Sequence, residues 1–311
     1  VTTVTSLNAV TWQISLPFQG EEGIIGSYLL AGNNELAIID PGPGSMMEPL
    51  LTAIRQAGFA PKDVTHLLAT HVHLDHAGVV GSLVKHMPKA KVYAHSKGAP
   101  HLLDTTKVVA SATRIYGDRM QQLWGDIEST PADRIQTMEG GDVLSVAGRR
   151  LEVHYTPGHA VHHVVFFDAS SGDLFAGDTA GVRLQGIDYV RPPTPPPDID
   201  LEAWFNSIDT IKKLQPDILY LGHFGATRNA AQHLERLRDQ LISWGNFVLG
   251  AMREHKNEQE ILDLLIAQTE PELKHATSDP DAPTRYEIAT NYAMTVQGYM
   301  RYWKKKHPER L

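Results

Sequence analysis

Ala69-Thr70-His71-Val72-His73-Leu74-Asp75-His76-Ala77-Gly78 is the stretch from which the rest of this chain can be read. Four side chains able to bind a metal, His71, His73, Asp75 and His76, fall within six positions of it. Upstream, Thr65-His66-Leu67-Leu68-Ala69-Thr70 is short and largely apolar and follows Pro61-Lys62-Asp63, which predicts a turn leading into a buried strand. Downstream, Val79, Val80, Leu83 and Val84 fall on one helical stripe. The motif is therefore a predicted strand-to-helix turn. Side chains alternate along an extended strand, so His71 and His73 point the same way. Asp75 and His76 sit at the mouth of the helix and face a second point nearby. Two adjacent ions suit this spacing better than one. Imidazoles and carboxylates are ligands for zinc and equally for iron or manganese.

The composition leaves room for that chemistry and removes others. The chain has 311 residues, 42% of them apolar, enough for a large core. It has no Cys, which excludes disulfides, thiol nucleophiles and thiolate ligands. Its net charge of −8 argues against a general nucleic-acid surface. Lys304-Lys305-Lys306 reads as a solvated helix end. No apolar run is long enough to suggest a membrane span. A cytoplasmic location is expected, although a chain without Cys also suits a secreted protein.

Working outward, residues 1–40 read as antiparallel strands, with Gly32-Asn33-Asn34 as a turn. Asp40 admits two readings, a turn former before Pro41 or an acceptor that orients a ligand imidazole. A helix is expected from about Met47 to Ala57, a strand at Lys91–His95, and helix through 98–130 with Ile115, Met120, Leu123 and Trp124 as its apolar positions. His95 is expected to be a hydrogen-bonded, half-buried side chain. Short strands follow at 143–146, 151–155, 164–167 and 174–176. Two loops after strands carry ligand-type residues, Thr156-Pro157-Gly158-His159 and Gly177-Asp178-Thr179. The five prolines between Arg191 and Pro197 predict a stiff spacer or lid. A helix from Asp200 to Leu214 precedes a strand, Asp217–Leu221, that ends in Gly222-His223. Helices at roughly 229–254, 257–269 and 283–305 complete the chain.

Four ligand clusters thus sit just past strand ends: His71/His73/Asp75/His76, His159, Asp178 and His223. This order resembles the metallo-β-lactamase fold superfamily, whose signature is His-x-His-x-Asp-His, then Gly-His, Gly-Asp and Gly-His. The resemblance covers about residues 10–230. It implies an α+β fold, an αβ/βα sandwich of two mixed sheets flanked by helices. The catalytic domain would span 1–228 and a helical C-terminal extension 229–311. It also implies a first metal on His71, His73 and His159, a second on Asp75, His76 and His223, and Asp178 as the bridge. His162 and His163 lie near His159 and admit a supporting role behind a ligand, but each is read first as a satisfied core histidine.

The implied activity is metal-dependent hydrolysis by a hydroxide shared between two divalent ions, zinc first, with iron or manganese as alternatives. Asp75 would be a ligand that also steers the proton. Superfamily members with a Cys ligand, with Glu in place of His73, or with a basic RNA-binding arm do not match this chain. The remaining groups resemble glyoxalase II, lactonases and phosphodiesterases, so a small ester-type substrate is expected: thioester, lactone, carboxyl ester or phosphodiester. A wide, part-apolar pocket would make the enzyme promiscuous across these bonds. The alternative is a mononuclear iron-dependent oxidoreductase of the persulfide dioxygenase type. Tyr189, Arg191, Phe224, Arg285, Tyr286 and Tyr292 are candidates for a pocket wall, with Arg191 and Arg285 more often surface charges. A small molecule is the expected partner, with neither nucleic acid nor membrane. A homodimer is compatible with all of this.

Overall fold

The computed structural model describes residues 2–311. The first sheet has seven strands in chain order. Strands β1 (Thr3–Asn8), β2 (Thr11–Phe18), β3 (Glu21–Gly32) and β4 (Glu35–Ile39) form an antiparallel meander. Helix α1 (Met47–Gln56) then crosses to β5 (Val64–Leu68), which lies parallel to β4. The short helices α2 (Leu74–Ala77) and α3 (Val80–His86) lead to β6 (Lys91–His95). Helices α4 (Ala99–Leu103), α5 (Thr106–Tyr116) and α6 (Met120–Trp124) precede β7 (Ile135–Met138) at the far edge.

The second sheet has six strands. Strands β8 (Val143–Val146), β9 (Arg149–Tyr155), β10 (Val164–Asp168) and β11 (Asp173–Gly177) are antiparallel neighbours. Helix α7 (Leu201–Leu214) crosses to β12 (Ile218–Leu221), parallel to β11, and β13 (Gly225–Thr227) closes the edge. Both sheets are therefore mixed, as expected. Helices α8 (Ala230–Arg253), α9 (Glu258–Ala276), α10 (Ala282–Ala289) and α11 (Tyr292–Lys306) finish the chain. Among the described residues no helix is long and apolar enough to cross a membrane.

Side-chain alternation builds the layers. In β4, Leu36 and Ile38 face the helices α1 and α3, while Ala37 and Ile39 face the other sheet. In β10, Val164 and Phe166 face the first sheet, while Val165 and Phe167 pack beneath α7 and α8. A strand covered on both faces has no polar side to show, which is why these segments read as unbroken apolar runs. Phe166 is fully buried between the sheets, and Phe166→Ala would cost about 3–5 kcal/mol in lost contacts and cavity. The Tyr28 hydroxyl donates to the Leu221 carbonyl at 2.6 Å and ties the sheets together at the end that carries the ligand loops.

Several elements differ from the sequence expectation. Residues 98–130 hold three short helices and an irregular stretch after Trp124, and Ile115 is 54% exposed rather than packed inward. Helix α9 continues through Pro271 to Ala276, held by buried Leu273. The helix expected at 283–305 is two, broken at Thr290–Asn291, where the Asn291 side chain accepts from the Met294 N–H and caps the second. The proline run packs against the body of the protein: Val182 pairs with Arg191, and Arg191 is fully buried.

Candidate metal centre

The ligand loops gather at one edge of the sandwich. After β5 the chain is pinned by Asp40, whose Oδ1 accepts from the Thr70 N–H at 2.8 Å and whose Oδ2 accepts from the Thr70 hydroxyl at 2.7 Å. The extended residues that follow carry His71 and His73, with ring centroids 4.6 Å apart. Asp75 and His76 open α2. From the second sheet come His159 after β9, Asp178 after β11 and His223 after β12. Gly177 sits at φ +48°, and a Cβ there would lie 2.4 Å from Thr70 Oγ1. At Gly222 a Cβ would lie 2.6 Å from the His76 ring and 3.0 Å from Asp178. A side chain at either position would push the two halves of the site apart.

The seven side chains meet. His71, His73 and His159 form one group, Asp75, His76 and His223 another, and Asp178 joins a third with His71 and His76. His159 Nε2 lies 3.0 Å from His73 Nδ1 and 3.4 Å from Asp178 Oδ2. His223 Nε2 is 3.2 Å from Asp75 Oδ2, and His76 Nε2 is 3.3 Å from Asp178 Oδ1. Asp178 therefore reaches one group with each oxygen.

The outer nitrogens are tied so that the inner ones keep a lone pair. His159 Nδ1 donates to the Pro193 carbonyl at 2.8 Å, and His223 Nδ1 donates to the Ile24 carbonyl at 2.8 Å. His76 Nδ1 is 3.0 Å from Asp40 Oδ2, and His71 Nδ1 is 3.1 Å from Thr70 Oγ1. Such outer contacts fix ring orientation and strengthen a ligand. His71 Nε2, His76 Nε2 and Asp178 Oδ1 are buried and lack a hydrogen-bond partner. Each orphaned group of this kind costs about 1–3 kcal/mol unless something meets it. A donor set of neutral nitrogens and carboxylates around such atoms fits a divalent ion.

Charge gives the same picture. Burial drives His71 well below the usual imidazole range, and His73 down to about 3, so both are neutral donors. Burial also lowers His159. His76 and His223 move up: burial opposes this, but Asp178 and Asp75 outweigh it. Asp178 is held well below the carboxylate range; burial works against that, and His76, His223 and His159 overcome it. The two carboxylates demand a positive partner here, and a proton on imidazole meets part of that demand. A divalent ion would meet all of it.

A sequence model of the metallo-beta-lactamase superfamily matches residues 20–223. The chain belongs to the metallo-beta-lactamase superfamily. Its members are mostly metal-dependent hydrolases. A metallo-beta-lactamase fold-containing protein of Sulfurisphaera tokodaii is 29% identical over 217 residues, 68% of this chain and 77% of that protein. An atrochrysone carboxyl ACP thioesterase of Aspergillus fumigatus is 26% identical, covering 80% of this chain and 67% of that protein. A hydroxyacylglutathione hydrolase of a Synechococcus strain is 27% identical over 46% of this chain and 43% of its own. A metallo-beta-lactamase family protein of Thermus thermophilus superposes with a TM-score of 0.71 at 21% identity, covering 97% of this chain and 95% of that one. The fold shared with that structure therefore runs into the helices after β13.

The other candidates separate. Arg191 and Tyr292 line a cleft of about 860 Å³ that opens from the metal centre. Arg191 lies under the Tyr292 ring, 3.5 Å from its centroid, and 3.5 Å from Glu287, so it is buried rather than a surface charge. Tyr189 and Tyr286 pack edge to face in the core, 5.5 Å apart, and Tyr286 donates to the Tyr189 carbonyl. Phe224 and Arg285 line a separate hollow of about 440 Å³, and Arg285 pairs with Asp279. Asp40 combines both of its readings, a turn at φ +50° and an acceptor behind His76. His95 is more buried than expected and pairs with Glu139 at 3.1 Å. His163 takes the supporting role that its sequence offered only as the less favoured reading. Its Nε2 accepts from the Asp178 N–H at 3.1 Å, its Nδ1 meets the Thr179 hydroxyl at 2.9 Å, and its ring stacks on His71. Its place four residues after His159 was the signal for that reading.

Proposed function

We propose that the protein hydrolyses an ester-type bond in a small molecule with two divalent ions, zinc first, and that thioesters are its bond class. His71, His73 and His159 would hold one ion and Asp75, His76 and His223 the other, with Asp178 shared. Two such ions lower the pKa of a shared water from about 15.7 towards about 7 and polarise a substrate carbonyl. The observation that carries the reading is the convergence of all seven side chains, three of them with orphaned buried atoms pointing inward. Similarity to two fungal thioesterases and to several hydroxyacylglutathione hydrolases favours thioesters.

The chain's own residues divide the remaining work. Asp75 is 23% exposed where Asp178 is 5% exposed, so Asp75 is the carboxylate placed to pass a proton to solvent in the cleft. Arg191 and Tyr292 form part of the wall that orients substrate. The helices from residue 229 onward act as an extension whose α9, α10 and α11 face the catalytic domain across the cleft. The test is elemental analysis of the purified protein, then a panel of thioester, lactone, carboxyl-ester and phosphodiester substrates at matched metal load. Close to two metals per chain with thioester hydrolysis is the expected result. One iron per chain with oxygen uptake would replace this reading with the redox one.

A further inference from the structure

The cleft beside the metal centre has two unlike surfaces. Its floor is the ligand set. Its walls, from α5 and α6 on one side and α9 to α11 on the other, present Ile115, Trp124, Leu273, Ile288, Ala293 and Met294. The Tyr116 hydroxyl contacts Met294 Sδ at 3.6 Å and ties the two walls together. Ile115, more than half exposed, is an apolar side chain left for something to cover.

The charged groups of the walls have neighbours of their own. Arg191 faces Glu287 at 3.5 Å, Arg119 donates to Gln19 at 2.8 Å, and Glu270 pairs with Lys274 at 2.7 Å. Arg119 meets only a neutral amide and Arg191 keeps two buried N–H groups without partners, so what the walls offer an acyl chain is their apolar side chains rather than a lack of cations. A cavity of this size holds a drug-sized organic group. Biological thiol carriers are rich in amides and anionic groups, so the part of a thioester that suits these walls is the acyl part.

We infer that this cleft is an acyl subsite that selects thioesters with a long or bulky apolar acyl group over short ones. The inference rests on the thioesterase reading for its chemistry, but the cleft can be tested without turnover. Binding of non-hydrolysable 2-oxoalkyl thioethers of N-acetylcysteamine to the metal-loaded protein is measured by calorimetry, from 2-oxobutyl to 2-oxodecyl. Each added methylene that reaches the wall should tighten binding about fourfold, giving at least about a hundredfold across the series. Ala293→Trp should fill the cleft and abolish the gain for long chains while leaving short ones unchanged. Met294→Lys should weaken the long chain about tenfold. Equal affinity across the series would overturn the inference. Length-dependent binding with no hydrolysis of the matching thioesters would remove the hydrolase reading and leave the subsite standing.

Discussion

Asp40→Asn exchanges one oxygen for an NH2 group at a point where three donors converge. Oδ1 accepts from the Thr70 N–H, and Oδ2 accepts from the Thr70 hydroxyl and faces His76 Nδ1. Asn keeps the shape and tolerates the φ of +50°, so backbone strain is not the effect being measured. An amide has only one accepting oxygen. If its NH2 faces the Thr70 N–H, two donors collide, because a backbone N–H cannot turn away. If it faces His76, the imidazole must move its proton to Nε2, the atom that is meant to hold the second ion. Either way one hydrogen bond to a charged group is lost, worth about 1.5–3 kcal/mol. That matches the roughly 10- to 100-fold loss typical when the partner behind a metal ligand is removed. The loss should fall mainly on the Asp75, His76 and His223 group, which Asp40 meets directly, and less on His71, which it reaches only through the Thr70 hydroxyl. A chelator competition titration with elemental analysis reads this directly, since stoichiometry should fall from two ions towards one at limiting metal. Unchanged affinity for both ions, with full activity, would refute the assignment of Asp40 as the group that orients His76.

Other perturbations test separate links. Asp178→Ala and Asp75→Ala should each lose metal and activity together, by about a thousandfold or more for Asp178, whose two oxygens serve both groups; full turnover in both variants would disprove their roles. His163→Phe keeps a ring against His71 but removes the acceptor for the Asp178 N–H, so turnover should drop about 10- to 100-fold with the fold intact by circular dichroism. Burial pushes His233 down to about 4, so this side chain is neutral when folded and protonates more readily when unfolded. Its contribution is complete above about pH 6.5 and is lost as pH falls towards 4, about 3 kcal/mol in all. His233→Gln keeps a donor for the Ala180 carbonyl and should flatten that acid limb in urea titrations between pH 4 and 7; an unchanged limb would show that other groups dominate it.

The seven side chains that converge were legible in the sequence because each sits beside a strand end, where small residues and turns are read locally. His71 to His76 fall in one run, and His159, Asp178 and His223 each follow a glycine. The sandwich was legible for a related reason, since strands buried on both faces read as continuous apolar runs. What lies beyond local pattern was not legible. The Asn291 cap divides a stretch that looks like one helix, and that break lets Ile288 and Met294 face the cleft. Arg191, within a proline run, looks like a surface charge until α11 brings Tyr292 over it. His163 reads as a core histidine, which it is; only the fold shows that its acceptor nitrogen is spent on the backbone of Asp178. Tyr189 and Tyr286 are aromatic candidates for the pocket wall, yet their rings pack on each other in the core and the Tyr286 hydroxyl is spent on the Tyr189 carbonyl.

The most direct measurement is an anomalous-scattering map from crystals of the protein equilibrated with zinc. Two peaks are predicted, one among His71, His73 and His159 and one among Asp75, His76 and His223, with Asp178 touching both. A single peak, or zinc held elsewhere while these side chains keep their places, would contradict the account.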